Sequence, residues 1–277
     1  MVSTLRKYDT AIKRWAGVGP YYAMFPSHFS DSVISRYTSA GDVVIDPFAG
    51  RATAIYSAAS SGRVGIGVEV NPVGWVYGKA KLQPSPKEKV IEKIKYISAI
   101  SFDYSDEADN LPEFFHKCYS KNIRCFLLAA RDMLNWKKSS TDWTLAALLL
   151  IYLHGKRDSS LSNQMRQTKS LSPQYAINWW DERKMSPPEI DPVIFMDSRI
   201  KWRYEKGKPK NTTSHLYLGD CTEILPHIEK LIIKKTMTRP KLFITSPPYC
   251  GITNYYYDQW LRLWLLGYPP IASNNYG

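Results

Sequence analysis

Thr245-Ser246-Pro247-Pro248-Tyr249 sets a short hydroxyl, two prolines and an aromatic ring directly after the apolar run Lys241-Leu242-Phe243-Ile244. Two consecutive prolines fix the backbone φ and remove two N–H donors, so the chain leaves a strand in a rigid, extended turn. Such a turn holds a polar side chain, a bare carbonyl and a ring at fixed spacing. The Ser246 hydroxyl and the Pro247 carbonyl can accept the two hydrogens of an exocyclic amine and orient its lone pair. Tyr249 can stack on a base rotated out of a duplex. The same turn is also an ordinary strand terminator, so its chemistry depends on what stands beside it.

A second set of groups lies far earlier in the chain. Asp42 to Phe48 reads as a short apolar strand that ends in the acid Asp46, followed by Ala49-Gly50-Arg51-Ala52-Thr53 and a helix of small residues from Ala54 to Ser60. A strand, a glycine turn and a helix N-terminus form the place where α/β sheets bind nucleotide-like ligands. Gly50 lets a ligand approach the backbone closely. Val64 to Val70 reads as a second strand, and Glu69 at its end lies roughly 20 residues beyond the first turn, where a ribose hydroxyl acceptor stands. The turn lacks the spaced glycines that admit a pyrophosphate, so the expected ligand is a nucleoside without phosphates. S-adenosylmethionine fits, and its sulfonium favours acidic and aromatic surroundings.

On these residues the chain resembles the amino-methylating DNA methyltransferases that use S-adenosylmethionine. Asp46-Pro47-Phe48-Ala49-Gly50 is similar to that family's cofactor loop, and Thr245 to Tyr249 to its catalytic motif. Met24-Phe25-Pro26-Ser27-His28-Phe29, with the amphipathic Ser30 to Tyr37, resembles the segment that covers the methionine end. Gly67-Val68-Glu69-Val70-Asn71-Pro72 resembles the second-strand motif. Leu216 to Cys221 resembles the next strand end, whose acid, here Asp220, faces the adenine in that family. The resemblance implies a Rossmann-like α/β methyltransferase sheet. It implies cofactor contacts from Phe25, Asp46, Pro47, Phe48, Gly50, Glu69, Asn71 and Asp220, and catalysis by Ser246, Pro247, Pro248 and Tyr249. Ala52 departs from the family, which commonly has glycine there. Serine before Pro-Pro-Tyr usually accompanies cytosine-N4 methylation in that family, and aspartate or asparagine usually accompanies adenine-N6, so cytosine-N4 is the expected target and adenine-N6 the alternative.

The chemistry asks for positioning more than for a base. The amine lone pair is delocalised into the ring, so acceptors at Ser246 and Pro247 would favour the rehybridised nitrogen that attacks the methyl group. Carbon-5 methylation of cytosine needs a cysteine nucleophile. None of Cys118, Cys125, Cys221 and Cys250 sits in a Pro-Cys turn, and none has metal-ligand spacing. No metal is expected, and unpaired cysteines suit a reducing cytoplasm.

Three segments must position these groups. Residues 1–83 carry the cofactor half, 84–214 a helical and loop-rich insertion, and 215–277 the catalytic-motif half. The insertion reads as helices at Lys87–Ile100, Ile123–Trp136 and the apolar Trp143–Leu153, then as a polar, loop-rich stretch from Lys156 to Lys210. A net charge of +12 over 277 residues suits a polyanion, and double-stranded DNA is the expected partner. Asn163, Gln164, Arg166, Gln167 and Lys169 are candidates for reading bases or holding phosphates, and Arg199, Lys201 and Arg203 for phosphate contacts. No signal peptide or membrane span is read: the longest apolar run, Ala146 to Leu153, is far below the ~20 residues a span needs.

Only four strands can be placed, at Asp42–Phe48, Val64–Val70, Leu216–Leu218 and Lys241–Thr245, fewer than the resembled domain contains. The sheet is therefore expected to be incomplete, the chain being a fragment or one completed by a second polypeptide. The apolar helix Tyr257–Leu266 is expected to pack on the sheet, with Trp260, Trp264 and Leu266 partly uncovered. A restriction–modification setting with a cognate endonuclease follows from the resemblance. The competing readings are an RNA or protein amine methyltransferase, and an inactive DNA-binding subunit that ignores the cofactor.

Overall fold

The computed structural model describes residues 8–20, 26–210, 213–247 and 254–272. Phe25, Pro248, Tyr249 and Cys250 lie outside the described residues. The chain divides into two compact units, one made of Met1–Pro84 and Lys206–Thr253, the other of Ser85–Glu205 and Asn254–Gly277.

The first unit contains helices α1 (Ala11–Ala16), α2 (Ser27–Tyr37), α3 (Thr53–Ser60) and α4 (Pro72–Leu82), and strands β1 (Val43–Asp46) and β2 (Val64–Glu69). In the second unit come α5 (Lys87–Ile100), a 3-10 turn, α6 (Ser105–Asp109), α7 (Glu113–Cys118), α8 (Lys121–Met133), α9 (Ser140–Tyr152), α10 (Pro173–Glu182) and α11 (Pro192–Tyr204). The chain then returns to the first unit as β3 (His215–Leu218), α12 (Cys221–Ile233) and β4 (Leu242–Phe243), and ends in the second as α13 (Tyr255–Asp258) and α14 (Trp260–Leu265).

The strands form one parallel sheet in the order β3-β2-β1-β4. β1 is buried along its whole length, as a parallel strand covered on both faces must be. Val44 faces Ile34, Ala54, Ala58 and Ile244, while Val43 and Ile45 join Ile66, Val68 and Ile228 on the other side. A small parallel sheet with flanking helices is consistent with the Rossmann-like architecture expected from the sequence. Successive strands run outward from β1 through β2 to β3, and β4 then adds on the opposite side of β1. The order therefore reverses between β1 and β4, and ligands of open α/β sheets bind outside the carboxyl ends of the strands at such a point.

In the helical unit α9 is apolar all round and buried from Asp142 to Ile151, as a central helix should be. The stretch after Lys156 is more ordered than its polar composition predicts. Ser172-Pro173 and Asp191-Pro192 each supply a helix cap followed by proline at the first helical position, and both cap side chains accept backbone N–H bonds. Asp191 thereby begins α11, which carries Arg199, Lys201 and Arg203 on a helix. The two ends of the inserted segment are tied where Tyr204 Oη donates to the Ser85 carbonyl at 2.6 Å.

The apolar helix near the end of the chain corrects the expectation that it packs on the sheet. Trp260 and Trp264 are 0% and 2% exposed, in an aromatic cluster with Phe114 and Phe115. Their rings are covered, and polar groups fasten the segment. Arg131 donates to the carbonyls of Trp264, Gly267 and Tyr268, Trp136 Nε1 to Leu266, and Trp260 Nε1 to Leu171. Arg262 is fully buried and donates to the Leu150 carbonyl, to Gln259 Oε1 and to the Gln167 carbonyl. Arg262→Ala strips donors from two buried acceptors and one part-buried acceptor and opens a cavity, so it should cost about 3–5 kcal/mol in denaturant unfolding.

Candidate functional site

All four strands deliver a polar group at their carboxyl ends: Asp46 from β1, Glu69 from β2, Asp220 just after β3, and Thr245 and Ser246 just after β4. Asp46 and Glu69 are 2% and 7% exposed. Asp46 Oδ1 accepts the Phe48 N–H at 3.1 Å and the Thr245 hydroxyl at 2.7 Å. Two motifs 199 residues apart in sequence thus meet at one carboxylate oxygen, at the reversal of strand order. Glu69 Oε2 accepts from Gly50 N at 2.6 Å and Oε1 from Asn71 N at 2.8 Å.

These bonds account for the backbone of the loop after β1. Phe48 N–H goes to Asp46, Ala49 N–H to the Val68 carbonyl, Gly50 N–H to Glu69 and Ala52 N–H to the Ala49 carbonyl. The Arg51 carbonyl receives Lys81 Nζ at 2.6 Å. Ala52 adopts the left-handed conformation, φ 57° and ψ 45°. For alanine that costs about 1–2 kcal/mol, which explains why glycine suits the position. The buried Ala52 methyl contributes about 0.8 kcal/mol in return, and glycine would add unfolded-state entropy of about 0.4–1 kcal/mol, so alanine is tolerated. Glycines in α4 make room for the loop. A Cβ at Gly74 would lie 2.7 Å from the Gly50 carbonyl oxygen, and one at Gly78 would lie 2.8 Å from the Ala52 Cβ.

Burial pushes the Asp46 carboxyl up to about 6 against the hydrogen bonds from Thr245 and Phe48. Burial likewise pushes Glu69 up to about 8, opposed by the N–H bonds from Asn71 and Gly50, with the nearby Asp46 charge adding to the rise. Among the described residues no lysine or arginine forms an ion pair with either.

Asn71 caps α4 through Oδ1, which accepts the Val73 N–H at 2.9 Å, while its buried Nδ2 has no hydrogen-bond partner. Phe48 and Val70 stand 38% and 53% exposed. Two buried acids, an unsatisfied amide donor and exposed apolar side chains on the strand-end segments match a cationic nucleoside with polar hydroxyls, so the residues present fit S-adenosylmethionine. Pro47 follows Asp46 in the loop. Asp220 is exposed and caps α12, its Oδ1 taking both the backbone N–H and the hydroxyl of Thr222 at 2.7 Å. Ser246 is half-buried and Pro247 exposed.

The basic candidates separate. Arg166 is exposed, and Lys169 is half-buried beside Asp258 at 3.6 Å. Lys201 is exposed and pairs with Asp197 at 2.6 Å. Arg199 lies over the rings of Phe195 and Tyr152. Arg203, expected on a phosphate-contacting surface, is 4% exposed and stacks on Trp202. It faces the interior because Ile200, Arg203 and Tyr204 share the buried side of α11. The amides expected to read bases are also engaged internally. Asn163 Nδ2 donates to the Lys117 carbonyl, Gln164 Oε1 accepts the Arg157 N–H, and Gln167 Nε2 donates to the Ile151 carbonyl. Sequence reasoning missed Gly74 and gave Thr245, though part of the motif, no role of its own. The signal for Gly74 was a glycine inside an otherwise helical run; for Thr245 it was a hydroxyl at a strand end beside a neighbouring strand's acid.

No protein family and no solved structure matched the chain. Over 151 residues, 51% of this chain, it is 26% identical to the type II methyltransferase M.MjaII of Methanocaldococcus jannaschii. The matched stretch covers 27% of that protein, so the chain spans about a quarter of the length of the curated relative it matches. The relationship is distant homology at the level of the methyltransferase superfamily.

The two buried acids set a pH dependence opposite to that of most carboxylates. Their folded values lie above the ordinary 3.8 and 4.5, so the folded state holds its protons more tightly. Their contribution to stability should be greatest below about pH 4 and be lost as pH rises, through about 6 for Asp46 and about 8 for Glu69. Asp46→Asn should remove Asp46's share of that fall between about pH 4 and 6, on the order of 3 kcal/mol, and leave that of Glu69, in denaturant unfolding at a series of pH values. An unchanged slope in that window would contradict the burial of this charge.

Proposed function

We propose that this chain transfers a methyl group from S-adenosylmethionine to the N4 amine of cytosine in DNA. The observation that carries the reading is the adjacency of Asp46-Pro47-Phe48-Ala49-Gly50 and Thr245-Ser246-Pro247 at the carboxyl ends of neighbouring parallel strands. Adenine-N6 methylation remains the alternative within the same chemistry, and Ser246 is what favours cytosine.

S-adenosylmethionine, when bound, supplies the electrophilic methyl group. Glu69 and Asn71 are assigned to its ribose, Phe48 and Asp220 to its adenine side, Pro47 and Gly50 to the close wall of the loop, and Phe25 to the methionine end. Asp46 and Glu69 add negative charge that favours a sulfonium over a neutral thioether. Ser246 Oγ and the Pro247 carbonyl accept the two amine hydrogens of the target base, Pro248 keeps the turn rigid, and Tyr249 stacks on the extruded ring. The amine proton becomes acidic once the new bond forms, so no strong base is assigned. In the helical unit, exposed Arg166 and Lys201, with Lys169 and Arg199, are assigned to the phosphate backbone, in keeping with the net charge of +12. β4 is an edge strand of the sheet among the described residues, with Phe243 60% exposed, and a further strand from a second polypeptide would pair there.

The test is methyl transfer to unmodified duplex DNA, followed by digestion and mass spectrometry of the nucleosides. N4-methylcytosine is the expected product; N6-methyladenine would overturn the choice of base. Ser246→Ala should retain cofactor binding and lose about a hundredfold or more in turnover; loss of cofactor binding instead would mean that the motif's role is misassigned. Affinity for S-adenosylmethionine should also rise between pH 5 and pH 8, as Asp46 and Glu69 lose protons, with a smaller rise for the neutral S-adenosylhomocysteine. Titration calorimetry with both ligands reads the difference.

A further inference from the structure

The Ile244 N–H to the Ile45 carbonyl, at 3.0 Å, is the last backbone bond that ties β4 to β1 among the described residues. Beyond it the chain enters Thr245-Ser246-Pro247, and the next tie is a side chain: Thr245 Oγ1 donating to Asp46 Oδ1 at 2.7 Å. The same oxygen accepts the Phe48 N–H, the first backbone donor of the loop after β1. One carboxylate oxygen therefore joins the start of the cofactor loop to the residue directly before Ser246. Prolines follow Ser246, so the turn past it has few N–H groups of its own with which to anchor.

We propose that Thr245 is a positioning residue, whose hydroxyl latches the amine-binding turn to the cofactor loop and sets Ser246 and Pro247 in register with the methyl donor. This inference rests on the functional reading above and assigns a role to a residue that the motif itself leaves unspecified. Thr245 touches neither the methyl group nor the base in this assignment; it acts through the placement of its neighbours. A displacement of about 1 Å in a reacting pair can cost a hundredfold in rate, so losing the latch affects turnover more than affinity. Valine is nearly isosteric with threonine and lacks the donor. Serine keeps the donor and loses a methyl group.

The experiment compares the full chain with Thr245→Val and Thr245→Ser in three readouts: S-adenosylmethionine affinity by calorimetry, kcat for DNA methylation, and hydrogen exchange of the Ile244 amide without cofactor. Thr245→Val should bind S-adenosylmethionine within about threefold of the wild type, lose about a hundredfold in kcat, and exchange Ile244 at least about tenfold faster. Thr245→Ser should restore all three. A Thr245→Val protein that turns over like the wild type overturns the proposal, as does a Thr245→Ser protein that fails equally. A wild-type chain that binds no S-adenosylmethionine would sink the functional reading instead. The Ile244 exchange then decides the latch alone, and unchanged protection in Thr245→Val overturns it.

Discussion

Two carboxylates are buried at the ends of neighbouring strands, held by backbone N–H groups and the Thr245 hydroxyl, with no lysine or arginine ion-paired to either among the described residues. An isolated charge in such a position is costly, and the rise in both acids' proton affinity expresses that cost. The loop between β1 and α3 takes the path that offsets it. Phe48 N–H must reach Asp46 and Gly50 N–H must reach Glu69, which turns the chain sharply and leaves Ala52 in a left-handed conformation at the start of α3. The same demand runs into α4, where Gly74 and Gly78 clear space for a backbone drawn close to β2. Loop path and helix contacts therefore share one electrostatic cause.

Much of this was legible in the sequence, for physical reasons. A parallel strand buried on both faces reads as an unbroken apolar run, and β1 and β2 both end in an acid that interrupts it. The lone glycine of the turn sets it apart from the spaced glycines of a pyrophosphate loop. What was not legible is what depends on long-range partners. Nothing near Trp260 or Trp264 reveals that Phe114 and Phe115 cover them, so an apolar helix following a strand was assigned to the sheet. The amides of Asn163, Gln164 and Gln167 look like base readers in one dimension, yet each satisfies a backbone group in three. Arg203 and Lys201 sit two residues apart in one basic cluster, and only the helical rotation of α11 sends one inward and the other to solvent. The Asp191-Pro192 cap that starts this helix was present in the sequence but outweighed by the polar composition around it.

Several cations and amides of the helical unit bond to its own backbone. Arg262 and Arg131 are spent on carbonyls at helix ends and loop turns, and His154 is buried against the Arg166 carbonyl, its proton affinity driven well down by burial and by Arg262. These cations and amides rigidify a loop that composition alone would leave mobile. A fixed scaffold of this kind holds exposed Arg166 and Lys201 in a defined setting. The cations of the helical unit thus divide into buried ones that organise backbone, such as Arg262, and exposed ones such as Arg166 and Lys201.

The tie between Tyr204 and Ser85 has a consequence for how the sheet forms. Gly65 N–H bonds to Ser214 Oγ across 149 residues, and a flexible segment of that length resists closure, by an entropy that grows by about 0.6 kcal/mol for each doubling. Once the helical unit has folded with its entry and exit pinned together, it behaves as a short tether between β2 and β3. Closure then involves an effective loop of the residues outside the pin, some two doublings shorter, which lowers the barrier to parallel pairing by about 1 kcal/mol. A bond remote from any chemistry thereby shortens the effective loop between β2 and β3.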